Sequence, residues 1–218
     1  MDLQFWRDRW ENQEIAFHQE TVDPHLQALW PQIAPPAGAA AFVPLCGKSL
    51  DLHWLAQRGH RVVGVEISAL AAEALFREHG LQPEIATRGA FQEFRHGPIR
   101  LLCGDFFDLA PNDLADVRLV HDRAALIALP EATRRTYAAK MGELLPRGAV
   151  ILLITYDYPP AEMAGPPYPV TPAEIERIYG NAFAIKLVED QDGLAHRPRY
   201  REKGLTRLTE RVHLLQRH

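Results

Sequence analysis

The stretch FVPLCGKSLDLHWLAQRGHRVVGVEIS, residues 42–68, decides the fold of this chain. Its first residues complete an apolar run over 40–45, which predicts a buried strand. Ser49 can cap a following helix and Gly59 can end it, and apolar positions between them share one face. Residues 61–66, RVVGVE, then predict a second strand. Strand, helix and strand in this order are typical of a parallel βαβ unit.

The same alternation continues to the end of the chain. Ser68 and Thr171 can each cap a further helix, and a third helix is predicted over 131–145. No helix is predicted over 192–204, and an antiparallel last strand is then the simplest topology, because a parallel return needs a crossover helix. We expect an α/β fold: a Rossmann-like, mostly parallel seven-stranded sheet with one antiparallel strand and helices on both faces. The five further strands are predicted over 99–103, 117–121, 150–155, 184–189 and 205–215.

The N-terminal part of the chain is predicted to be helical and carries several aromatic side chains. Trp6 and Trp10 fall on one helical face, and a second helix is predicted over 22–30. This spacing suits two interpretations, which are plain packing onto the sheet and a lid over a ligand site. We expect residues 1–38 to form a helical lid segment within a single domain that covers residues 1–218.

Composition excludes several classes of protein. The chain has 218 residues, 47% apolar and 24% charged, which is typical of a globular protein with a real core. Its net charge of −4 offers no electrostatic footprint for nucleic acid. The apolar run over 39–46 is too short to span a bilayer, and the N-terminus lacks a signal-peptide core. Two cysteines and ten scattered histidines form no disulfide framework and no metal motif. We therefore expect a cytoplasmic protein, without metal, membrane or nucleic acid.

The turn after the first strand is the first candidate site, because ligands of open α/β sheets bind at the carboxyl ends of the strands. This turn, PLCGKS over 44–49, contains only Gly47, so the dinucleotide-binding glycine fingerprint is absent. A phosphate-binding P-loop is disfavoured as well, since Phe42 stands where that motif needs a glycine. Two interpretations remain: an ordinary βα turn, or a turn against which a ligand without pyrophosphate lies.

Acidic and aromatic residues follow the next strands. Glu66 ends the second strand nineteen positions after Gly47, where a carboxylate can accept hydrogen bonds from ribose hydroxyls. An exposed glutamate at a strand end is the plainer alternative. Asp105 and Phe106 can form the wall of a base pocket. The next strand is followed by Asp122 and Arg123, which are either the solvated end of that strand or part of a reaction centre.

Four motifs, which run from Trp6 toward the C-terminus, together give the chain a specific resemblance. They are WxxRWxxxxxAFHQE over 6–20, the stretch over 42–68, HDRAALIAL over 121–129 and GPPYPVTPAEIERIYG over 165–180. With these motifs, the chain from Trp6 to the C-terminus resembles the bacterial form of the thiopurine S-methyltransferase family, whose members are class I methyltransferases that use S-adenosylmethionine. The family transfers the methyl group to the sulfur of aromatic and heterocyclic thiols.

The resemblance implies the positions of the site residues. Substrate contacts are expected at Phe17 and Arg199. Two departures from mammalian members concern the pocket wall: GDFFDL has Asp105 where they have serine, and HDRAAL has His121 and Ala124 where they have WDRGAL. The implied cofactor contacts are Trp10, Leu45 through its backbone, Glu66, Asp105, Phe106 and Arg123.

The chemistry of such a transfer asks mainly for positioning, because the sulfonium is already an activated methyl donor. Acidic aromatic thiols need little help from a base, since the thiolate is the nucleophile. Arg123 and Arg199 can favour the thiolate, and Trp10 can offer its face to the sulfonium. Asp122 is the only candidate for a general base.

Three hypotheses about function stay open at this point. The leading one is a monomeric S-methyltransferase whose partner is a small-molecule thiol, with other thiols or selenium and tellurium compounds as alternative substrates. An NAD-dependent oxidoreductase would explain Glu66 but needs phosphate-binding glycines that the turn lacks. A module that binds an adenosyl ligand without turnover is the non-enzymatic alternative.

Overall fold

The computed structural model describes residues 3–218. Met1 and Asp2, which belong to the predicted lid segment, lie outside the described residues. The chain divides into two compact units, the first ending at His121 and the second beginning at Asp122. The prediction of a single domain over residues 1–218 stays a prediction.

The first unit contains a sheet in the order β3-β4-β5-β2-β1-β6. The strands β5, β2, β1 and β6 run parallel, and β3 and β4 form an antiparallel hairpin beside β5. Two 3-10 turns, Phe106–Asp108 and Pro111–Asp113, follow β5. The helices are α1 (Leu3–Glu11), α2 (Pro24–Ile33), α3 (Leu50–Gln57) and α4 (Ala69–Arg77), and the strands are β1 (Ala40–Val43), β2 (Arg61–Glu66), β3 (Glu84–Arg88), β4 (Phe91–His96), β5 (Ile99–Cys103) and β6 (Val117–Asp122).

Burial explains why β1 and β2 hold the centre of this sheet. All four residues of β1 and five of the six in β2 are buried, as expected for parallel strands that are covered on both faces. The chain runs outward from β1 through β2 to β5 and then returns on the other side of β1 as β6. This reversal of strand order leaves a crevice at the carboxyl end of β1, the usual ligand position in open α/β sheets.

The second unit contains three strands, in the order β7-β9-β8. The strand β9 is antiparallel to both of its neighbours, which confirms the antiparallel return predicted for the last strand. A 3-10 turn, Leu126–Ala128, precedes the first helix of this unit. The helices are α5 (Glu131–Leu144), α6 (Pro172–Tyr179), α7 (Gly193–His196) and α8 (Pro198–Glu202), and the strands are β7 (Val150–Asp157), β8 (Phe183–Asp192) and β9 (Thr209–Arg217).

Serine and threonine caps start three of the predicted helices as expected. The Ser49 hydroxyl accepts the Asp51 N–H, and Ser68 accepts the Ala71 N–H at the start of α4. Thr171 caps α6 in the same way, with a proline at the first helical position. These caps satisfy backbone donors that a helix start leaves without intrahelical partners.

The predicted number of seven strands is wrong, because residues 3–218 contain nine. The missed pair is β3 and β4, and every residue of β3 is exposed, so no apolar alternation marks it in the sequence. The prediction of one antiparallel strand is wrong for the same reason. Two short helices, α7 and α8, also occupy 193–202, where none was predicted. The second helix begins at Pro24 and runs to Ile33, later than the predicted 22–30.

No helix within residues 3–218 is long and apolar enough to cross a membrane.

We predict that His213 on β9 makes the protein sensitive to acid. Its ring is 3% exposed, its register neighbours are Leu153 and Leu187, and burial lowers its pKa from 6.5 to about 4. The unfolded chain therefore binds a proton more readily, so this contribution to stability is complete above pH 6.5 and is lost as the pH falls toward 4. The loss is about 3 kcal/mol in the free energy of unfolding.

Urea titrations at several pH values test this prediction. The variant His213→Leu should reduce the loss of stability between pH 6.5 and 4 by about 3 kcal/mol, because leucine keeps the packing without a titrating nitrogen. The exposed His196 gives the matched control, and His196→Gln should leave the wild-type dependence in place. A His213→Leu profile that overlies the wild type would contradict the assignment.

Candidate active site

The turn after β1 folds tightly back on itself. Leu45 has a φ of 43° and Gly47 a φ of 52°, so both lie in the left-handed region. Glycine adopts this region freely, whereas a leucine there is strained, and such strain concentrates at functional sites. The Cys46 N–H still donates to the Val65 carbonyl at 2.9 Å, which joins the turn to β2. The backbone of Leu45 is thereby held at the carboxyl end of β1.

Glu66 ties this turn to the end of β2. Its side chain is 4% exposed, and its two oxygens accept the N–H groups of Gly47 at 2.8 Å and Ser68 at 2.9 Å. Burial raises the pKa of Glu66 above 4.5, and hydrogen bonds from Ser68, Gly47 and Ile67 oppose that rise. Each carboxylate oxygen has a further acceptor position. Glu66 is therefore a structural anchor that still has the capacity to accept hydroxyl donors.

Two aromatic side chains from the N-terminal segment meet the same turn. Trp10 is 5% exposed, and a Cβ added at Gly47 would lie 3.0 Å from its Cζ2 atom. Phe17 packs edge-on against Trp10 with ring centroids 5.6 Å apart, and it meets Trp6 at the same distance. The structure thus brings Trp10 and Glu66 to one glycine and places Phe17 against Trp10.

The segment after β5 runs beside Glu66. The Gly104 N–H donates to the Glu66 backbone carbonyl at 2.9 Å, so Asp105 follows directly from that contact. Asp105 is half-buried, and its Oδ1 caps a short turn by accepting the Phe107 N–H at 3.0 Å. Phe106 is 1% exposed and packs edge-on against Phe107. The predicted base wall therefore consists of a half-buried carboxylate and a ring that is already packed.

A buried carboxylate that sequence reasoning missed lies behind this turn. The Asp51 oxygens accept the Asp23 N–H at 2.8 Å and the Ser49 hydroxyl at 2.8 Å, and Nε2 of His121 lies 3.2 Å from Oδ2. Asp51 therefore links the starts of α2 and α3 to the end of β6. This contact holds His121 against α3. In the sequence, only the departure from the mammalian motif had pointed to His121.

The second unit holds Asp122 and Arg123. Asp122 is fully buried and accepts three hydrogen bonds, from the N–H groups of Ala125 and Leu126 and from the Tyr137 hydroxyl. This geometry disfavours the general-base role expected for Asp122, because a proton acceptor must be within reach of the substrate. Arg123 is half-buried, and its charge lies close enough to Tyr156 to oppose the rise that burial causes in the pKa of that tyrosine.

Arg199 and the overlooked Arg197 lie in the same unit and make different contacts. Arg199 lies 4.9 Å above the ring of Tyr200 and donates to its hydroxyl at 3.3 Å. Arg197 forms a bidentate pair with buried Glu210, at 2.7 and 3.0 Å, and lies 5.3 Å from the ring centroid of Tyr156. The sequence could have indicated this pair, because the alternation of apolar residues in β9 places Glu210 on the buried face. A buried carboxylate needs a cationic partner, and Arg197 is that partner.

Both cysteines are unsuited to nucleophilic chemistry. Burial, followed by the charge of Glu66, raises the pKa of Cys46 well above its ordinary value. The same two causes, in the same order, raise the pKa of Cys103 to about 11. Thiols in this state are protonated at neutral pH, whereas the thiolate is the reactive form. The chain therefore contributes no thiol nucleophile of its own at this site.

A cavity of about 210 Å³ lies at the opposite end of the parallel strands. The arginines that line it are paired with carboxylates, Arg61 with Asp116 at 3.0 Å and Arg100 with Asp113 at 3.1 Å. Because of its position, this cavity is separate from the candidate site at the carboxyl ends of the strands. Its walls include the first residues of four strands, Ala40, Arg61, Ile99 and Val117.

Known proteins share both this sequence and this fold. The profile of the family described as Thiopurine S-methyltransferase (TPMT) matches residues 1–218. The chain belongs to the thiopurine S-methyltransferase family. It is 48% identical over 217 residues to "Thiopurine S-methyltransferase" of Xanthomonas campestris pv. campestris (strain 8004), with complete coverage of both chains. A relative of the same name from Pseudomonas fluorescens (strain Pf0-1) is 46% identical and covers 98% of each chain.

Solved structures of more distant methyltransferases confirm the α/β methyltransferase fold. Geranyl diphosphate C-methyltransferase from Streptomyces coelicolor A3(2) superposes with a TM-score of 0.67 at 12% identity, covering 99% of this chain and 98% of its own. A Burkholderia thailandensis 1,6-didemethyltoxoflavin-N1-methyltransferase gives 0.65 at 15% identity, covering 99% and 87%. The resemblance to the thiopurine S-methyltransferase family inferred from the motifs is confirmed.

We predict that Gly47→Ala destabilises this family member by about 2 kcal/mol, from backbone strain together with the contact to Trp10. Gly80 is a matched control, because its φ of 68° is similar and a Cβ there meets nothing within 4 Å. Gly80→Ala should cost only about 1 kcal/mol.

Chemical unfolding of both variants in the wild-type and Trp10→Leu backgrounds separates the two causes. The excess cost of Gly47→Ala over Gly80→Ala should largely vanish when Trp10 is replaced. An excess that is unchanged in the Trp10→Leu background would show that the ring does not press on this glycine.

Proposed function

We propose that this protein is an S-adenosylmethionine-dependent S-methyltransferase that acts on aromatic and heterocyclic thiols such as thiopurines. Membership of the thiopurine S-methyltransferase family over the whole chain supports the activity. The observation that carries the proposal is the buried Glu66 carboxylate at the strand-order reversal, bonded to the turn after β1 and covered through Gly47 by Trp10. A vicinal diol suits such a carboxylate, because each hydroxyl can donate to one oxygen.

The residues present fit S-adenosylmethionine. The single-glycine turn suits a ligand without pyrophosphate, and the backbone at Leu45 would lie against its methionine part. Glu66 would accept the ribose hydroxyls, and Asp105 would accept the amino group of the base beside Phe106. Trp10 would offer a π face to the cationic sulfonium. When bound, this group supplies a methyl group on a sulfonium that is activated for in-line displacement.

The remaining site residues act on the thiol. We assign Arg123 to stabilisation of the thiolate, because a guanidinium lowers the energy of a nearby anion and stays charged at any working pH. Arg199 would hold the far side of the ring, and Phe17 would pack against its face. These residues would hold the thiolate in line with the methyl group that bound S-adenosylmethionine would supply, so positioning would account for most of the rate.

The fine points of the natural role belong to the same proposal. The protein acts as a monomer in the cytoplasm on a small molecule, and its net charge of −4 disfavours a nucleic-acid substrate. Other thiols, selenium compounds or tellurium compounds are alternative acceptors of the same chemistry. A panel of these acceptors with isotope-labelled S-adenosylmethionine tests the activity. Binding of S-adenosylhomocysteine without transfer to any acceptor would leave only the adenosyl-binding module.

We predict that Glu66→Gln weakens binding of S-adenosylhomocysteine by about 10- to 100-fold, which corresponds to about 1.5–3 kcal/mol. The amide has one acceptor oxygen, so either Gly47 or Ser68 loses its partner and the ribose loses an acceptor. Because burial raises the pKa of Glu66 above 4.5, the wild-type affinity should fall as the pH is lowered toward that value. The affinity of Glu66→Gln should be flat over the same range.

Isothermal titration between pH 5 and 7.5 measures both effects, and the exposed Glu176 on α6 provides the control variant Glu176→Gln. Unfolding midpoints should be recorded alongside, because the lost backbone bond also lowers stability. A folded Glu66→Gln protein with wild-type affinity and wild-type pH dependence would remove Glu66 from the cofactor site.

We predict different effects for Arg123→Ala and Arg199→Ala. The first should lower kcat and weaken cofactor binding together, with only partial rescue by Arg123→Lys, because an ammonium lacks the planar fork. The second should chiefly raise KM for the thiol and leave cofactor affinity unchanged.

Matched kinetic and titration series on the two variants give the answer, with the exposed Arg201→Ala as a control. If Arg199→Ala behaves like the wild type with several thiols, Arg199 has no part in substrate binding.

A further inference from the structure

We propose that Asp122 is a positioning residue, not a proton acceptor, and that Tyr137 is a second positioning residue that acts through it. Together they fix the backbone turn that carries Arg123. The inference rests on the proposed function, in which Arg123 favours the thiolate, and all the groups that it invokes lie in the unit that begins at Asp122.

The Asp122 carboxylate closes the turn after β6. Its Oδ1 accepts the Ala125 N–H at 3.2 Å and the Leu126 N–H at 3.1 Å. A carboxylate that bonds backbone groups three and four residues ahead holds the intervening residues in one conformation. Arg123 and Ala124 are those intervening residues. The backbone of Arg123 is therefore set by the side chain that precedes it.

Tyr137 anchors the other carboxylate oxygen. Its hydroxyl donates to Oδ2 of Asp122 at 2.7 Å from the middle of α5, and both side chains are fully buried. Burial and then the charge of Asp122 raise the pKa of Tyr137 well above its ordinary value, so the hydroxyl keeps its proton and remains a donor. The turn that bears Arg123 is thus fixed to a fourteen-residue helix and does not move as an isolated loop.

The surroundings of Asp122 also argue against proton transfer from a substrate. The carboxylate has no exposed surface, and burial, followed by the charge of Asp122, raises the pKa of Tyr179, a second fully buried tyrosine. A general base needs hydrogen-bond reach to the proton that it removes. In contrast, Arg123 is half-buried and carries the charge that a thiolate needs. Asp122 thus fixes the backbone of the turn, and Arg123 supplies the positive charge that stabilises the thiolate.

The variants Tyr137→Phe and Asp122→Asn test the proposal with two kinds of thiol, one mostly ionised at the assay pH and one mostly protonated. Positioning predicts that each variant lowers kcat by a similar factor for both thiols, about tenfold. Cofactor affinity should fall as well, because Arg123 is also expected to contact the cofactor. A general base at Asp122 predicts the opposite pattern: a large loss for the protonated thiol, little loss for the ionised one, and almost no effect of Tyr137→Phe. That pattern would overturn the proposal.

Amide hydrogen exchange gives a readout that does not depend on turnover. The Ala125 and Leu126 amides should exchange slowly in the wild type and at least tenfold faster in Tyr137→Phe and Asp122→Ala. Tyr158→Phe is the matched control, because Tyr158 is also buried and its hydroxyl donates elsewhere, to the Pro167 carbonyl. Unchanged exchange in Tyr137→Phe refutes the positioning role. Absence of turnover in the wild type with every thiol refutes the proposed function instead, and the exchange result still decides whether the turn is fixed.

Discussion

The site depends on one buried carboxylate that holds two strand ends together. Glu66 has almost no exposed surface, and its oxygens accept backbone N–H groups from the turn after β1 and from the start of α4. Burial of a charge is costly unless hydrogen bonds replace the lost water, and here backbone donors replace it. The anchor also makes the strained φ of Leu45 tenable, because the turn cannot relax without losing the Gly47 bond. The carboxylate that we propose to bind ribose is therefore also the group that shapes the turn.

Asp51 and Asp122 are buried carboxylates that organise the backbone around them in the same way. Asp51 accepts the Asp23 N–H and the Ser49 hydroxyl, whereas Asp122 accepts the Ala125 and Leu126 N–H groups and the Tyr137 hydroxyl. Ends of parallel strands leave loops whose backbone donors have no ladder partner, and a short acidic side chain satisfies several of them at once. Acidic residues after strands in this chain are thus primarily organisers of loop backbone. Their value to a methyl transfer is geometric, because the reaction is limited by positioning more than by proton transfer.

The sequence predicted the central βαβ unit because its signals are local: apolar strand runs, serine caps and a glycine stop all agree with one another. The hairpin of β3 and β4 was not predicted, because all of β3 is exposed. Its pairing depends on contact with β4 and not on a hydrophobic pattern in β3 itself. The short helices α7 and α8 were not predicted, because this arginine-rich segment lacks apolar residues at helical spacing. Glu66 was predicted by its distance from Gly47, whereas its role in holding the turn became visible only with the backbone donors around it.

The roles of Arg197 and Arg199 were harder to predict from the sequence than those of the carboxylates, because they depend on charged partners elsewhere in the fold. In sequence, Arg197 and Arg199 are equivalent members of a basic segment, and resemblance alone selected Arg199. In the fold, Glu210 on β9 points inward and binds Arg197 through both oxygens, because a buried carboxylate needs a charged partner. This pair holds Arg197 against Tyr156, while Arg199 stacks on the ring of Tyr200. The structural role of Arg197 thus depends on Glu210, thirteen residues later, and on the alternation of buried and exposed residues in β9 that turns Glu210 inward. No motif around Arg197 itself indicates this role.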